Sequence, residues 1–185
     1  MTKFQIEAPH MNSVNTLNPK DLAINLLKSH NIRSSPVPVD KIAKAMGVQL
    51  KFSPLDDELS GMVFIKNGTP IIGVNSLHHP NRQRFTIAHE LGHLVMHRDI
   101  LENEVHVDKQ FKILMRDGLA ATGTDTIEIQ ANQFAAELLL PTFLLDTFLT
   151  KEFDIEDEDP LDALAKKFKV SKQMLEYRIR AVSNS

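Results

Sequence analysis

The five residues His89-Glu90-Leu91-Gly92-His93 carry the clearest chemical signal in this sequence. In a helix, residues four positions apart lie on the same face, so His89 and His93 can offer ring nitrogens to one ion. Two neutral imidazoles suit zinc, which takes about four ligands with Zn–N bonds near 2.0–2.1 Å. Glu90 is turned by about 100° from His89, which places it beside the ion, where a base can deprotonate a water. The pattern therefore predicts hydrolysis by a metal-activated water.

The residues around the motif favour a helix over residues 79–97. Apolar residues recur at helical spacing and form one face, which consists of Ile87, Leu91, Leu94 and Val95. No proline follows position 80 in this segment. The alternative is a surface helix whose histidines have no metal. The position of both histidines in the middle of the apolar pattern favours the metal-binding interpretation.

A catalytic zinc needs a third protein ligand and a position left open for water. His97 continues the i+4 series, but at 1.5 Å per residue it lies about 12 Å along the axis from His89. That distance is too long for a shared ion, so we expect His97 to support the site from outside it.

The segment around Glu128 supplies the better third ligand. Glu128 and Asn132 stand four residues apart on one helical face, next to the small Ala131 and Ala135, which allow close approach to the motif helix. Glu128 can then bind the metal while Asn132 hydrogen-bonds an imidazole of a ligand. Glu137, the competitor, lies about half a turn round the helix and faces away. The other interpretation is that Glu128 binds no metal. It would then only stabilise the first turn of its helix, where a negative charge complements the helix dipole.

These two segments together resemble the ImmA/IrrE family of metallopeptidases, within the thermolysin-like gluzincins. The resemblance extends over roughly residues 20–180, with Leu140 standing where the family commonly has methionine. It implies His89, His93 and Glu128 as metal ligands and Glu90 as general base, with Zn²⁺, or else Mn²⁺ or Fe²⁺, as the ion. It also implies an antirepressor that cleaves a helix-turn-helix transcriptional repressor, as members do in stress responses and mobile elements.

Composition limits the remaining possibilities. The chain has 185 residues, a hydrophobic fraction of 42% and a net charge of −3, values typical of a globular protein and unfavourable for a general nucleic-acid binder. It contains no cysteine, which excludes disulfides, thiolate zinc sites and a deformylase-type cysteine ligand. No apolar run approaches the ~20 residues of a membrane span and no signal peptide is evident. We therefore expect a cytoplasmic protein without a membrane partner.

The pattern of elements predicts an α+β, zincin-like fold. Helices are expected near 18–30, 39–46, 79–97, 126–140 and 142–149, and three short antiparallel strands near 48–52, 61–66 and 70–75, with Asn67-Gly68 as a hairpin turn. Residues 99–125 are expected to form a long loop with local structure. We expect a tail over 1–17, either a tag remnant or a native segment, the peptidase domain over 18–150, and a linker with a helical appendage over 151–185.

The C-terminal segment resembles a helix-turn-helix, with Ser171 as N-cap of its second helix. Its basic residues are Lys166, Lys167, Lys169, Lys172, Arg178 and Arg180. One interpretation is DNA binding; the other, which the acidic net charge favours, is a helical pair packed on the peptidase core. We do not expect this pair to bind DNA tightly by itself, and docking of the repressor is a third interpretation.

The sequence thus predicts a zinc-dependent endopeptidase directed at a repressor. The transition-state oxyanion needs a further donor, and the candidates stay open: His78, His79, His106, Arg116 and Tyr177. The alternative function is a non-proteolytic regulator that binds a repressor or DNA through the C-terminal helices. Glu90 argues against it, because binding alone does not require a base.

Overall fold

The helix that carries the His-Glu-x-x-His motif lies in the middle of the fold, between a sheet and a second long helix. We describe it from a computed structural model of the chain, which describes residues 18–101, 106–109, 123–149 and 158–183. Every residue of the motif helix from 85 to 94 is buried, whichever face it lies on. A helix buried all round must be packed on several sides. Its partners are the sheet on one side and the Glu128 helix on another.

Twelve elements follow one another along the described chain. The helices are α1 (Pro19–Ser29), α2 (Val39–Ala45), α3 (Pro80–Met96), α4 (Arg98–Leu101), α5 (Gly123–Leu139), α6 (Thr142–Leu145), α7 (Glu158–Phe168) and α8 (Lys172–Ser183). The strands are β1 (Gln49–Ser53), β2 (Leu59–Lys66), β3 (Thr69–Asn75) and β4 (His106–Lys109). The predicted α+β class is confirmed.

The two ends of the motif helix α3 are set by local sequence. The Nδ1 of His79 accepts a hydrogen bond from the backbone N–H of Asn81 at 3.2 Å, and Pro80 occupies the first helical position. Proline fits there because its missing N–H would have no helical partner. At the other end, the N–H of His97 donates to the carbonyl of His93. These caps fix the helix as a rigid carrier for the two motif histidines.

The sheet differs from the prediction in two ways. Its strand order is β1-β3-β2-β4, so it has four strands, and β1 pairs with β3 in parallel; the other pairs are antiparallel. The prediction of three antiparallel strands was therefore wrong in strand number and in one orientation. The β2–β3 hairpin is as expected, with Asn67 (φ 51°) and Gly68 (φ 77°) both in the left-handed region that its two-residue turn requires. β1 does not pair with β2. It lies along the other edge of β3 and runs in the same direction as β3.

The loop with local structure expected over residues 99–125 contains most of α4 and all of β4. α5 begins at Gly123, before the predicted start at 126. β4 has only four residues, too few for a clear alternation, and it forms because β2 offers it a pairing edge.

The C-terminal helices pack against the core formed by the other helices and the sheet. Their apolar side chains belong to the same hydrophobic cluster as those of α3 and α5; they include Leu161, Leu164, Phe168, Leu175 and Ile179. The turn between α7 and α8 also accepts two hydrogen bonds from α3: Asn81 Nδ2 donates to the carbonyl of Val170 at 2.9 Å, and Arg84 Nε donates to that of Lys169 at 3.2 Å.

The predicted tail over 1–17 and most of the acidic run at 154–159 lie outside the described residues, so the domain boundaries stay predictions. Among the described helices, none combines the length and apolar character that a membrane crossing requires.

Candidate metal centre

Three imidazoles and one carboxylate converge between α3, α5 and β4. Their donor atoms, from His89, His93, His106 and Glu128, all lie within 4.8 Å of one another. The two motif histidines are 1% exposed, while His106 and Glu128 are 16% and 13% exposed at their side chains. The two motif histidines are thus fully buried, and His106 and Glu128 are slightly exposed.

The distances within the cluster are those expected of ligands around one ion. The Nε2 atoms of His89 and His93 are 3.0 Å apart, and each lies near a different oxygen of Glu128, at 3.2 Å and 3.4 Å. A tetrahedral zinc site with bonds near 2.0–2.1 Å has ligand atoms about 3.3 Å apart. The structure therefore brings together the three residues that the sequence analysis selected as ligands.

Each motif histidine has a hydrogen-bond partner on its other ring nitrogen. Asn132 Oδ1 lies 3.0 Å from His89 Nδ1, and since an amide oxygen only accepts, His89 Nδ1 carries the proton. Gln130 Oε1 likewise accepts from His97 Nε2 at 2.9 Å. The lone pair then falls on His97 Nδ1, which accepts from His93 Nδ1 at 3.2 Å. By this network both Nε2 atoms present lone pairs to the cluster.

This arrangement of lone pairs fits a divalent cation. Two imidazole lone pairs 3.0 Å apart repel each other unless a positive charge lies between them. A second observation agrees: among the described residues, the buried His106 Nε2 and Glu128 Oε1 have no hydrogen-bond partner, although they are 3.1 Å apart. The donor atoms of the cluster thus crowd together around one point, as ligands of a shared ion do.

The protonation states also suit a metal. Burial lowers the pKa of His93 to about 3, an effect that the Glu128 carboxylate only partly opposes. Burial raises the pKa of Glu128, but contacts with His106, His89 and His93 outweigh it and hold that pKa far below its usual value. Near neutral pH the imidazole is therefore neutral and the carboxylate ionised, which are the forms that bind metals.

Glu90 is fully buried beside the sheet. A Cβ added at Gly61 of β2 would lie 3.4 Å from Glu90 Oε1 and only 2.3 Å from Thr86 Cγ2. The absence of a side chain at Gly61 is what lets α3 approach β2 and brings Glu90 against the strand next to β4.

Gly92, a second glycine, lies on the side of α3 that packs against α5. A Cβ added at Gly92 would lie 3.2 Å from the Cα of Ala131 and from Cδ1 of Phe134. The backbones of α3 and α5 can therefore come close, as expected from the small residues near Glu128. This contact holds the two motif histidines opposite Glu128.

Glu137, the competitor for the metal, points away from the cluster. Its carboxylate forms a buried ion pair with Arg178 of α8 and accepts a hydrogen bond from the N–H of Thr142 at 2.9 Å. Glu137 therefore joins α5 to α6 and α8, and Glu128 is the glutamate of α5 that faces the imidazoles.

The candidates for an oxyanion donor lie in different places. His106 belongs to the cluster, whereas His79 caps α3 and Tyr177 is 46% exposed on α8. His78 contacts Asn75, at 3.5 Å between His78 Nε2 and Asn75 Nδ2. Arg116 lies outside the described residues.

The sequence analysis named His106 only as one of several oxyanion candidates and missed its place among the four converging side chains. It also missed Gln130 as the partner of His97. The signal for His106 was weak: an isolated histidine in a segment read as a loop, which only the pairing of β4 with β2 brings to the cluster.

The fold and the cluster are those of a metallopeptidase: a His-Glu-x-x-His helix crossed by a helix that adds a glutamate. The chain belongs to the M78 peptidase family, whose model, described as the IrrE N-terminal-like domain, matches residues 43–180. This confirms the predicted ImmA/IrrE family.

Two comparisons add to this. The radiation response metalloprotease IrrE of Deinococcus deserti is 37% identical over 82 residues, which are 44% of this chain and 26% of that protein. A solved structure of a Mycobacterium tuberculosis transcriptional regulator shares the fold with a TM-score of 0.56 at 18% identity; the match covers 86% of this chain and 45% of that one. The chain thus corresponds to only part of each relative.

Proposed function

We propose that this chain is a zinc-dependent endopeptidase that cleaves a helix-turn-helix transcriptional repressor. The observation that carries the proposal is the convergence of His89, His93 and Glu128, with the buried Glu90 on the same helix as the two histidines. The peptidase family and the relative described as a radiation response metalloprotease support the reaction class. The repressor as substrate is supported by the resemblance to antirepressor peptidases.

The proposed roles follow from the positions of the side chains. His89, His93 and Glu128 would hold the ion, with His93 neutral and Glu128 ionised as their surroundings favour. When bound there, a divalent ion would polarise the scissile carbonyl and lower the pKa of a water. Asn132 and His97 orient the two imidazoles from their outer nitrogens.

Glu90 would act as the general base. Its carboxylate would accept a proton from the attacking water and return that proton to the leaving amine. Glu90 is fully buried, next to β2, and follows His89 directly on the motif helix.

The test is the cleavage of a repressor by wild-type protein and by Glu90→Gln. The probe is a purified helix-turn-helix repressor of the host, incubated with zinc-loaded protein and followed by mass spectrometry. Gln is nearly isosteric but cannot accept the proton, and general-base contributions run to about 10²–10⁴ in rate. We expect one cut with the wild type, and an intact repressor with the variant.

Glu176→Gln is the matched control, because Glu176 lies on α8 outside the described metal cluster; it should cleave like the wild type. Cleavage by Glu90→Gln at the wild-type rate would exclude Glu90 as the base. If neither protein cut the repressor but both released it from its operator, the non-proteolytic function would replace this one.

A further inference from the structure

His106 reaches the cluster from a different element than the other three side chains. It is the first residue of β4, an edge strand that pairs only with β2 in the described sheet. Its ring centroid lies 4.0 Å from that of His93, with the two rings tilted by 36°. Its Nε2 lies 3.1 Å from Glu128 Oε1, the same oxygen that lies 3.4 Å from His93 Nε2.

These distances put His106 in the position of a ligand. Its separation from Glu128 Oε1 falls within the 3.0–3.4 Å range of the other three ligand-to-ligand distances. A hydrogen bond would be the competing explanation for so short a contact, but the two atoms lack the geometry of one. Three imidazoles and one carboxylate supply the four donors that a tetrahedral zinc takes.

We infer that His106 is a fourth protein ligand that closes the metal centre at rest and must leave it before hydrolysis. The inference rests on the proposed function, since only a catalytic centre needs the fourth position for water. Sites closed by four protein ligands are structural, whereas catalytic sites keep one position open. Departure of His106 would convert the first kind of site into the second.

The fold makes His106 the ligand that can leave. His89 and His93 are 1% exposed and share one rigid helix, whereas His106 is 16% exposed and sits on a four-residue edge strand. His106 pairs with Val63 of β2, while the register of β4 on β2 shifts at the other end of β4, between Leu59 and Gly61. A substrate segment that displaces the His106 end of this short strand would free the fourth position.

The test counts the coordinated imidazoles without using a substrate. The full chain, labelled with ¹⁵N-histidine and loaded with one equivalent of ¹¹³Cd²⁺, would show a scalar coupling for each ring nitrogen bonded to the metal. Of the eight histidines, we expect three to be coupled. One of these couplings should be missing in both His106→Ala and His106→Asn, with His30→Ala as a control that keeps all three.

A second measurement asks whether the fourth position is closed. Acetohydroxamate, which would bind zinc at the open fourth position, should bind zinc-loaded His106→Ala at least about tenfold more tightly than it binds the wild type. In the wild type only the small fraction of molecules with an open site could bind it, and the apparent affinity falls in proportion to that fraction. Equal affinities would overturn the inference, as would only two coupled imidazoles in the wild type. A protein that shows three couplings but cleaves no repressor would refute the proposed function and leave the coordination by His106 standing.

Discussion

At the scale of single residues, the chemistry of the cluster depends on the outer nitrogens of its imidazoles. Asn132 and the His97–Gln130 pair determine which nitrogen of each motif histidine is protonated. With the tautomers set in this way, both Nε2 atoms offer lone pairs at a separation that only a cation makes favourable. The polar residues of α5 are therefore part of the metal centre although they would not touch the ion.

Removing the Asn132 amide tests this role. In Asn132→Ala, His89 loses the acceptor for its Nδ1 proton, and loss of such outer partners typically lowers metal affinity by about 10–100-fold. We expect a fall in zinc affinity of that size, measured by competition with a chromophoric chelator. Gln133→Ala, one residue along and exposed, should bind zinc like the wild type; an equal fall in both variants would mean that Asn132 has no orienting role.

Residue-level reasoning from the sequence reached most of this site. The i+4 spacing of His89 and His93 and the helical phase of Glu128 relative to Glu137 are properties of the helix itself, so the sequence carries them. The place of His106 is set by strand pairing across a long chain separation, and no local pattern encodes that pairing. The metal roles of these residues stay predictions until an ion is measured.

At the scale of elements, two close approaches build the centre: α3 against β2 at Gly61, and α3 against α5 at Gly92. Each glycine removes the side chain that would hold the backbones apart. The motif histidines and Glu128 meet because α3 and α5 pack backbone to backbone, and Glu90 meets the sheet because α3 packs closely on β2.

Gly61→Ala should disturb both stability and activity. The new Cβ would lie 2.3 Å from Thr86 Cγ2 and 2.9 Å from the carbonyl oxygen of Gly73, so α3 or β2 must shift. Such overpacking costs about 1–3 kcal/mol in the free energy of unfolding, measurable by urea denaturation. Gly73→Ala is the control: its Cβ would meet only the flexible side chain and the carbonyl of Met62, at 3.0 Å or more. A smaller loss for Gly61→Ala than for Gly73→Ala would contradict this account of the packing.

The elements also show where sequence patterns stop being informative. Helix boundaries agreed to within a few residues because caps and periodicity are local, as with Pro80 at the start of α3. The parallel pairing of β1 with β3 was not predicted, since the segment between β1 and β2 could equally have closed a hairpin. Pairing partners and directions depend on the whole sheet.

At the scale of the whole molecule, the C-terminal pair is attached to the metal-binding core. Arg178 is 3% exposed; its guanidinium pairs with Glu137, and its Nε donates to the carbonyl of Leu140 at 3.1 Å. One of the six basic residues of this segment is therefore unavailable to a phosphate. The same ion pair links α8 to the helix that carries Glu128.

We therefore expect no tight, sequence-dependent DNA binding by this chain alone. Specific sites typically bind at about 10⁻⁸–10⁻¹¹ M, mostly through phosphate contacts by exposed Lys and Arg. Fluorescence anisotropy with the operator of the same host repressor, at physiological salt, should show only weak binding, similar for operator and random duplex. Nanomolar binding that is lost with the random duplex would establish the C-terminal pair as a DNA-binding element.

The most direct test of the whole account is the metal content of three purified proteins, determined by elemental mass spectrometry after dialysis against zinc. Glu128→Gln removes the acidic ligand proposed here. Glu137→Gln changes the glutamate of the same helix that pairs with Arg178 instead. Both variants are compared at a temperature where circular dichroism shows them to be folded. We expect about one zinc per chain in the wild type and in Glu137→Gln, and clearly less in Glu128→Gln, because the centre then loses its one negatively charged ligand and keeps only imidazoles. Full zinc content in Glu128→Gln together with its loss in Glu137→Gln would contradict the metal centre described here.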